Sequence, residues 1–298
     1  MSKNEVLKGL FLVGLGATSY GMLATFVKLA YNENFTTAEV TSSQFIYGIL
    51  GMLIINGFQK LKSKQPVINA SKKNIVQLML AGTSLGMTSV FYYLCVKYIN
   101  VSIAIVLLMQ TVWMGVLLEW VLDKVVPSSK KITAVIVVLL GTILATNMTS
   151  ASSLQVDWRG IFWGLLAAAS FTTTMFTANK IALGVSSAQR SLYMLLGGAV
   201  IVFAFALFTQ NTPFNFEIFY KWGIFLALFG TIIPPILLNA GFPKTGIGLG
   251  SIISSLELPV SVLMAYIILG EKVVFIQWLG IVLIIAAIVI MNTHFKKK

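Results

Sequence analysis

Stretches of about 20 apolar residues recur along this chain of 298 residues, and no other feature restricts its fold as much. A helix of about 20 residues crosses the ~30 Å hydrocarbon core of a bilayer. Apolar residues make up 57% of the chain and charged residues only 10%, so no part of it has the composition of a soluble domain. The sequence therefore predicts an all-α, polytopic membrane protein.

The hydropathy pattern predicts ten transmembrane helices. We place them at residues 7–31, 38–58, 74–97, 101–122, 132–148, 159–182, 188–209, 221–242, 246–269 and 274–293. The first is too long for a signal-peptide core and lacks a small-x-small cleavage site, so we expect it to be retained. Because the number of spans is even, both termini lie on the same side of the membrane.

The basic residues indicate which side that is. With cytoplasmic termini, sixteen of the 21 lysine and arginine residues lie in cytoplasmic positions, as the positive-inside rule requires. We therefore expect a multi-pass protein of the cytoplasmic (inner) membrane with both termini in the cytoplasm. This distribution also explains the net charge of +12 without a nucleic-acid partner, since no basic patch is interleaved with aromatic residues.

The first and sixth spans share a pattern of small polar residues followed by a lysine. The matching positions are Thr18, Thr25 and Lys28 in the first span, and Ser170, Thr177 and Lys180 in the sixth. A repeat of this kind predicts that each half of the chain forms the same unit. We expect one five-helix repeat over residues 1–150 and a second over 151–298, together forming one membrane domain.

A second pair of segments supports the repeat. LLMQTVWMGVLLEWVLDK at 107–124 resembles SLELPVSVLMAYIILGEK at 255–272, with Asp123 in the place of Glu271. Because each copy holds an odd number of spans, the two copies enter the membrane from opposite sides. Inverted repeats are a common construction of secondary transporters, whose substrate site lies near mid-membrane where the copies meet.

The second copy resembles the ten-helix EamA-type members of the drug/metabolite transporter superfamily. The resemblance rests on Glu257-Leu258-Pro259, on Gly270-Glu271 and on Gly280 in the following apolar span. The first copy departs from this pattern, with Met109-Gln110-Thr111 and Leu122-Asp123 at the matching positions. The resemblance implies a polytopic exporter or importer of small metabolites, often amino acids or related compounds.

Glu257 is the only acid deep within a predicted span. An unpaired ion there costs roughly 2.5–3.5 kcal/mol on insertion scales, so we expect the carboxyl group to be protonated, paired or near water. In one interpretation it couples transport to protons or binds a substrate ammonium group. In the other it donates a hydrogen bond to backbone left free by Pro259, which clashes with the Ser255 carbonyl.

Other polar side chains share helix faces that would suit either a cavity wall or contacts between helices. The candidate substrate-binding residues are Thr18, Thr25, Tyr93, Gln110, Trp113, Ser170, Thr174, Thr177, Ser254 and Glu257. Hydroxyl stripes frequently hold helices together, and core packing would explain the aromatic and amide residues equally well. Both interpretations are open from the sequence.

Charged residues at span ends are candidates for coupling or gating. They are Lys28, Lys180, Asp123 and Glu271, together with Glu257. Lysines that extend to the membrane surface are the simpler explanation. The alternative is that a lysine pairs with an acid at one end of the bundle and releases it as the carrier changes state.

Helix-breaking residues concentrate in spans eight and nine. Pro234, Pro235, Gly250 and Pro259 are therefore candidate hinge residues. The nearby glycines do not form a phosphate-binding loop, because no strand precedes them and the Lys-Ser/Thr ending is missing.

The sequence predicts a secondary active transporter rather than an enzyme. With one histidine and one cysteine, it offers no constellation for nucleophilic or metal catalysis, and we expect no cofactor. The expected substrate is an amino acid or a similar neutral or zwitterionic solute, moved by alternating access and in the direction of export. Protons are a candidate coupling ion, and one chain suffices as a monomer. A channel for small polar solutes is the alternative.

Overall fold

The computed structural model describes residues 2–62, 68–99, 101–146 and 157–293, and this part of the chain is helical, without strands. Ten helical segments follow one another: α1 (Lys3–Asn32), α2 (Thr37–Lys62), α3 (Lys72–Tyr98), α4 (Val101–Leu108 and Thr111–Asp123), α5 (Ser129–Ala145), α6 (Trp158–Lys180), α7 (Ser187–Thr209), α8 (Phe219–Thr245), α9 (Ile247–Ser254 and Glu257–Ile268) and α10 (Phe275–Thr293). They lie at the ten predicted spans. The predicted boundary between the repeats, at residues 150 and 151, lies outside the described residues, as do the end of the fifth span and the tail from residue 294.

Eight of these segments are long and apolar enough to cross a membrane. The shorter helices α5 and α10 pack against each other, and a Cβ atom at Gly141 would lie within 2.9 Å of the Gly280 carbonyl oxygen. Large apolar side chains such as Phe11, Leu80 and Phe208 remain exposed on the outside of the bundle, where lipid would surround them. The prediction of an all-α membrane protein built from two inverted five-helix repeats is confirmed.

The two repeats are interlocked. Helix α1 of the first repeat packs against α8 and α9 of the second, and α6 of the second packs against α3 and α4 of the first. Helix α7 likewise lies against α2 and α3. Because most of each helix's contacts cross between the repeats, neither repeat encloses a core of its own.

Helices α3 and α7 cross at close range because glycines stand where they touch. A Cβ atom added at Gly82 would overlap the Met194 carbonyl group, and one at Gly197 would overlap the Met79 carbonyl group. A Cβ atom added at Gly86 would likewise overlap the Gly198 carbonyl group. Small residues that let backbones approach are the usual means by which membrane helices gain contact area.

Polar caps reinforce this interlocking at both ends of the bundle. Near the start of α2, the Glu39 carboxylate accepts hydrogen bonds from the backbone nitrogens of Thr36 (2.7 Å) and of Asn215 in the loop before α8 (2.7 Å). Near the start of α7, the Gln189 amide accepts a bond from the backbone nitrogen of Ala70 (3.1 Å), in the loop before α3. Each repeat therefore holds a loop of the other through a residue in the first turn of its second helix.

Helices α4 and α9 are each interrupted at mid-length. The interruption in α9 lies at Ser255–Leu256, just before the helical turn that contains Pro259. Because Pro259 occupies the first turn of the second half, where a backbone N–H has no partner within the helix, it costs that half no hydrogen bond. Helix α4 is interrupted at Met109–Gln110, two residues farther along in the repeat alignment, and this interruption forms without any proline.

Helix α8 contains two π-helical turns, Phe219–Gly223 and Leu228–Ile232. The second ends just before Pro234 and Pro235, and such a widened turn accommodates residues that cannot donate backbone hydrogen bonds. The chain turns from α8 into α9 at Gly246, whose φ of 78° favours glycine.

Candidate functional site

A cavity of about 360 Å³ lies between the two repeats, and every helix except α7 contributes lining residues. This volume is within the range of small-molecule sites, about 300–1,000 Å³. Its aromatic lining residues are Tyr20, Tyr31, Phe45, Tyr92, Tyr93 and Phe171. The cavity therefore offers an apolar wall, partly aromatic, to a ligand.

Glu257 lines this cavity at the interruption of α9. Its backbone packs against Gly21 of α1, where any Cβ atom would overlap the Glu257 carbonyl oxygen. Its side chain is partly exposed to the cavity, and its carboxyl group forms no hydrogen bond or ion pair with the described residues. The Ser255 carbonyl oxygen already accepts a bond from the Leu258 nitrogen (3.2 Å). The geometry thus gives no support to a structural hydrogen bond from Glu257 to backbone freed by Pro259.

Thr25 also lines the cavity, one turn along α1 from Gly21. The residue is 2% exposed, and its Oγ1 atom has no hydrogen-bond partner within the described ranges. A buried polar atom left unsatisfied costs about 1–3 kcal/mol. Because the Oγ1 atom is covered, a ligand or a water molecule reaches it only when a neighbouring side chain moves aside.

The mouth of the cavity carries an ion pair. Lys28 near the end of α1 pairs with Glu271, which follows α9, and both side chains are about half exposed and line the cavity. Lys272 lies beside them. Among the charged residues that line the cavity, the lysines are thus confined to its mouth, and Glu257 lies deeper.

The opposite end of the bundle is closed. Tyr20 and Phe171 meet edge to face, with ring centroids 6.0 Å apart, and both also line a small second cavity of about 20 Å³. Farther along, Lys180 at the end of α6 pairs with Asp123 at the end of α4, with an Nζ–Oδ1 distance of 2.6 Å. Tyr20 and Phe171 therefore form a floor, and an ion pair lies beyond it.

The two ion pairs correspond to each other in the internal repeat. Lys28 matches Lys180, and Glu271 matches Asp123. Each pair joins the first helix of one repeat to the end of the fourth helix of the other, at opposite ends of the bundle.

Five of the residues proposed from the sequence line the large cavity: Thr25, Lys28, Tyr93, Glu257 and Glu271. Thr174 and Pro235 line the small one. The others lie outside both: Thr18, Gln110, Trp113, Asp123, Ser170, Thr177, Lys180, Pro234, Gly250, Ser254 and Pro259.

Local hydrogen bonds explain several of these positions. Gln110 donates to the Val106 carbonyl oxygen (3.0 Å) and accepts from Trp113 Nε1 (2.8 Å), and the Trp113 side chain remains 36% exposed. Thr177 donates to its own helix, at the Thr174 carbonyl oxygen (2.8 Å), and Ser254 donates in the same way to Gly250 (3.0 Å). Such bonds to the preceding turn are typical of hydroxyl groups within membrane helices.

Some lining residues were not selected from the sequence. Gln44, Thr88, Thr231 and Gln277 contribute polar groups, and Tyr31 contributes a ring near the mouth. Gln44 offered the clearest signal, since an amide within the apolar second span requires a partner or a cavity.

The comparisons with known proteins agree with this architecture. The EamA-like transporter family matches the chain twice, over residues 7–147 and 158–293. A crystal structure of another protein superposes with a TM-score of 0.81 at 12% identity, over 97% of this chain and 98% of that one. At this identity the likeness shows the fold alone. None of the curated proteins matches the sequence.

Proposed function

The chain belongs to the EamA-like transporter family, and from that premise we propose that it is a secondary transporter that moves a small amphipathic metabolite by alternating access. The observation that carries the proposal is a blind cavity, walled by both repeats, between two repeat-related ion pairs. A site at the meeting of inverted repeats that opens at one end at a time is what alternating access requires.

The ion pairs are the proposed gates. Lys28 and Glu271 line the entrance, so this pair has to separate when a solute passes. Lys180 and Asp123 occupy the corresponding place at the closed end. Opening that end requires α4 and α6 to separate, and the interruptions in α4 and α9 provide points at which these helices can bend.

The proposed location is the cytoplasmic membrane, with both termini in the cytoplasm, because most basic residues then lie on the cytoplasmic side. The cavity mouth, at Lys28, then faces outward. Two joined repeats supply the inverted pair within one chain, so a monomer is complete. Export remains the expected direction, although a carrier moves its solute whichever way the coupled gradient drives it.

The solute we propose is an amino acid or a compound of similar size, neutral or zwitterionic overall. A phosphorylated solute would require several basic groups deep in the cavity, and the lysines that line it are confined to its mouth. Protons are the proposed coupling ion, with Glu257 as the group that takes and releases them, since its carboxyl group has no protein partner among the described residues.

Counterflow in proteoliposomes tests the function. Saturable uptake that is stimulated by the same solute on the opposite side indicates a carrier, whereas linear flux without exchange would indicate a channel. The panel consists of amino acids and small organic solutes, with and without a pH gradient. The Glu257→Gln variant is expected to lose the response to the pH gradient, and an unchanged response would remove the coupling role from this residue.

A further inference from the structure

Which part of a solute the cavity recognises can be argued from the charges along its depth. Lysines occur among the lining residues only at the mouth, where Glu271 neutralises Lys28. Beyond them lie the Thr25 hydroxyl group and then the Glu257 carboxyl group. The deep part of the cavity therefore has an acid and a hydroxyl group, both without protein partners among the described residues, and no base.

The surroundings of Glu257 suit a cation with an apolar body. Tyr20 and Tyr92 line the cavity with it. A buried carboxylate is stabilised most by a positive partner that also donates hydrogen bonds. Tyrosine rings attract the same partner through their faces. A carboxylate group, by contrast, would be repelled by Glu257.

We infer that the cavity binds amphipathic primary amines with the ammonium group at Glu257 and Thr25, and that a carboxylate on the solute is not required for binding. This inference rests on the proposed function and specifies which group of the solute that site recognises. The ammonium group donates to the Glu257 carboxylate, and to Thr25 Oγ1 once the side chains that cover this atom move aside. The apolar body lies against the cavity wall. The carboxylate of an α-amino acid, which shares a carbon with the ammonium group, points away from Glu257, toward the side of the cavity that carries Lys28 and Lys272.

Calorimetric titration of the detergent-purified full chain at pH 7 tests this with two sets of matched probes. One set is phenethylamine, phenylalanine, 3-phenylpropanoate and 2-phenylethanol; the other is isopentylamine, leucine and 4-methylpentanoate. We expect the amines and amino acids to bind, and the acids and the alcohol to bind at least tenfold more weakly. Equal binding by the acids, or binding by none of the amines, would overturn the inference.

Variants of Glu257 test whether this residue recognises the ammonium group. We expect Glu257→Gln to weaken amine binding about tenfold to a hundredfold, and Glu257→Asp to retain part of the affinity because the charge remains. Glu33→Gln removes an exposed carboxylate that pairs with Lys221 outside the cavity, and should stay within twofold of the wild type. Discrimination between phenethylamine and 2-phenylethanol should disappear in Glu257→Gln, a readout that a mere loss of stability would not produce.

The binding test in detergent and the counterflow test in vesicles can fail independently, so failure of this inference is distinguishable from failure of the proposed function. A carrier that does not recognise amines would exchange other solutes without binding these probes. A channel that does recognise amines would bind the probes but show linear flux without exchange.

Discussion

At the scale of the residue, Thr25 is a buried hydroxyl group kept without a partner at a cavity wall. Such a group is a cost to folding that a bound solute would offset. We expect Thr25→Val to raise the counterflow KM about fivefold, which corresponds to one lost hydrogen bond of about 1 kcal/mol, without lowering thermal stability.

The matched control for Thr25 stands on the same helix. Thr18→Val makes the same chemical change two turns away, outside the cavity, and should leave the KM unchanged. If Thr18→Val raised the KM as much as Thr25→Val, the rise would come from any such change along α1 and not from the Thr25 hydroxyl group at the cavity.

The residues of the site were only partly predictable from the sequence. Glu257 stood out because an acid inside an apolar span requires a partner or a cavity. Gln110 and Thr174 gave a similar polar signal, yet Gln110 bonds to Trp113 and Thr174 to Ser84. Helix periodicity identifies a polar face, but only the packing of the neighbouring helices decides whether that face meets a cavity, another helix or lipid.

At the scale of the element, the close crossing of α3 and α7 depends on glycine. We expect Gly82→Ala to lower the melting temperature by several degrees, since its methyl group would overlap the Met194 carbonyl group and overpacking costs about 1–3 kcal/mol. A Cβ atom at Gly57 meets nothing within 4 Å, so Gly57→Ala should be neutral or slightly stabilising. Thermal unfolding in detergent compares the two variants.

The ion pair at the closed end is expected to affect transport rather than stability. Lys180→Asp and Asp123→Lys should each lower the counterflow rate severalfold, because each leaves two like charges facing one another. The double variant restores an attractive pair and should recover most of the rate. If the double variant did not recover the counterflow rate, the broken Lys180–Asp123 pair would be excluded as the cause of the slower transport in the single variants.

The exposed pair Lys221–Glu217, in which Lys221 also contacts Glu33, serves as the surface control for this exchange of charges. Surface ion pairs contribute about 0–1 kcal/mol. Lys221→Glu, Glu217→Lys and the double variant should therefore all transport at close to the wild-type rate.

The interruptions of α4 and α9 show what sequence could and could not predict about elements. Pro259 is a candidate hinge residue from the sequence, and α9 is interrupted just before it. The break in α4, two residues farther along in the repeat alignment, has no local signal, because Met109 and Gln110 are compatible with an unbroken helix. A proline is therefore not required for an interruption in this part of a repeat, and the sequence alone could not place the one in α4.

At the scale of the whole molecule, a cavity open at one end predicts one-sided access. Ser261 lines the cavity, whereas the native Cys95 is fully buried. We expect Ser261→Cys to react with a membrane-impermeant maleimide added outside the cell, and a transported solute in excess to slow this reaction. Wild type, with Cys95 alone, should remain unlabelled.

The side of access also tests the orientation. Labelling of Ser261→Cys in inside-out vesicles but not in whole cells would contradict an outward-facing mouth. The number and order of helices followed from hydropathy and the repeat, because each span is a local property of the sequence. The cavity could not be predicted from these local properties, because its wall is assembled from both repeats.

The reciprocal caps at Glu39 and Gln189 have a consequence for biogenesis. The Glu39 carboxylate is satisfied by Asn215, which leaves the ribosome more than 170 residues later in synthesis. Until then the first five helices lie in the bilayer with their contact faces turned to lipid, or held by the insertion machinery. Assembly therefore waits for the second repeat, and a chain that stops translation halfway presents these uncovered faces to the quality-control proteases of the membrane.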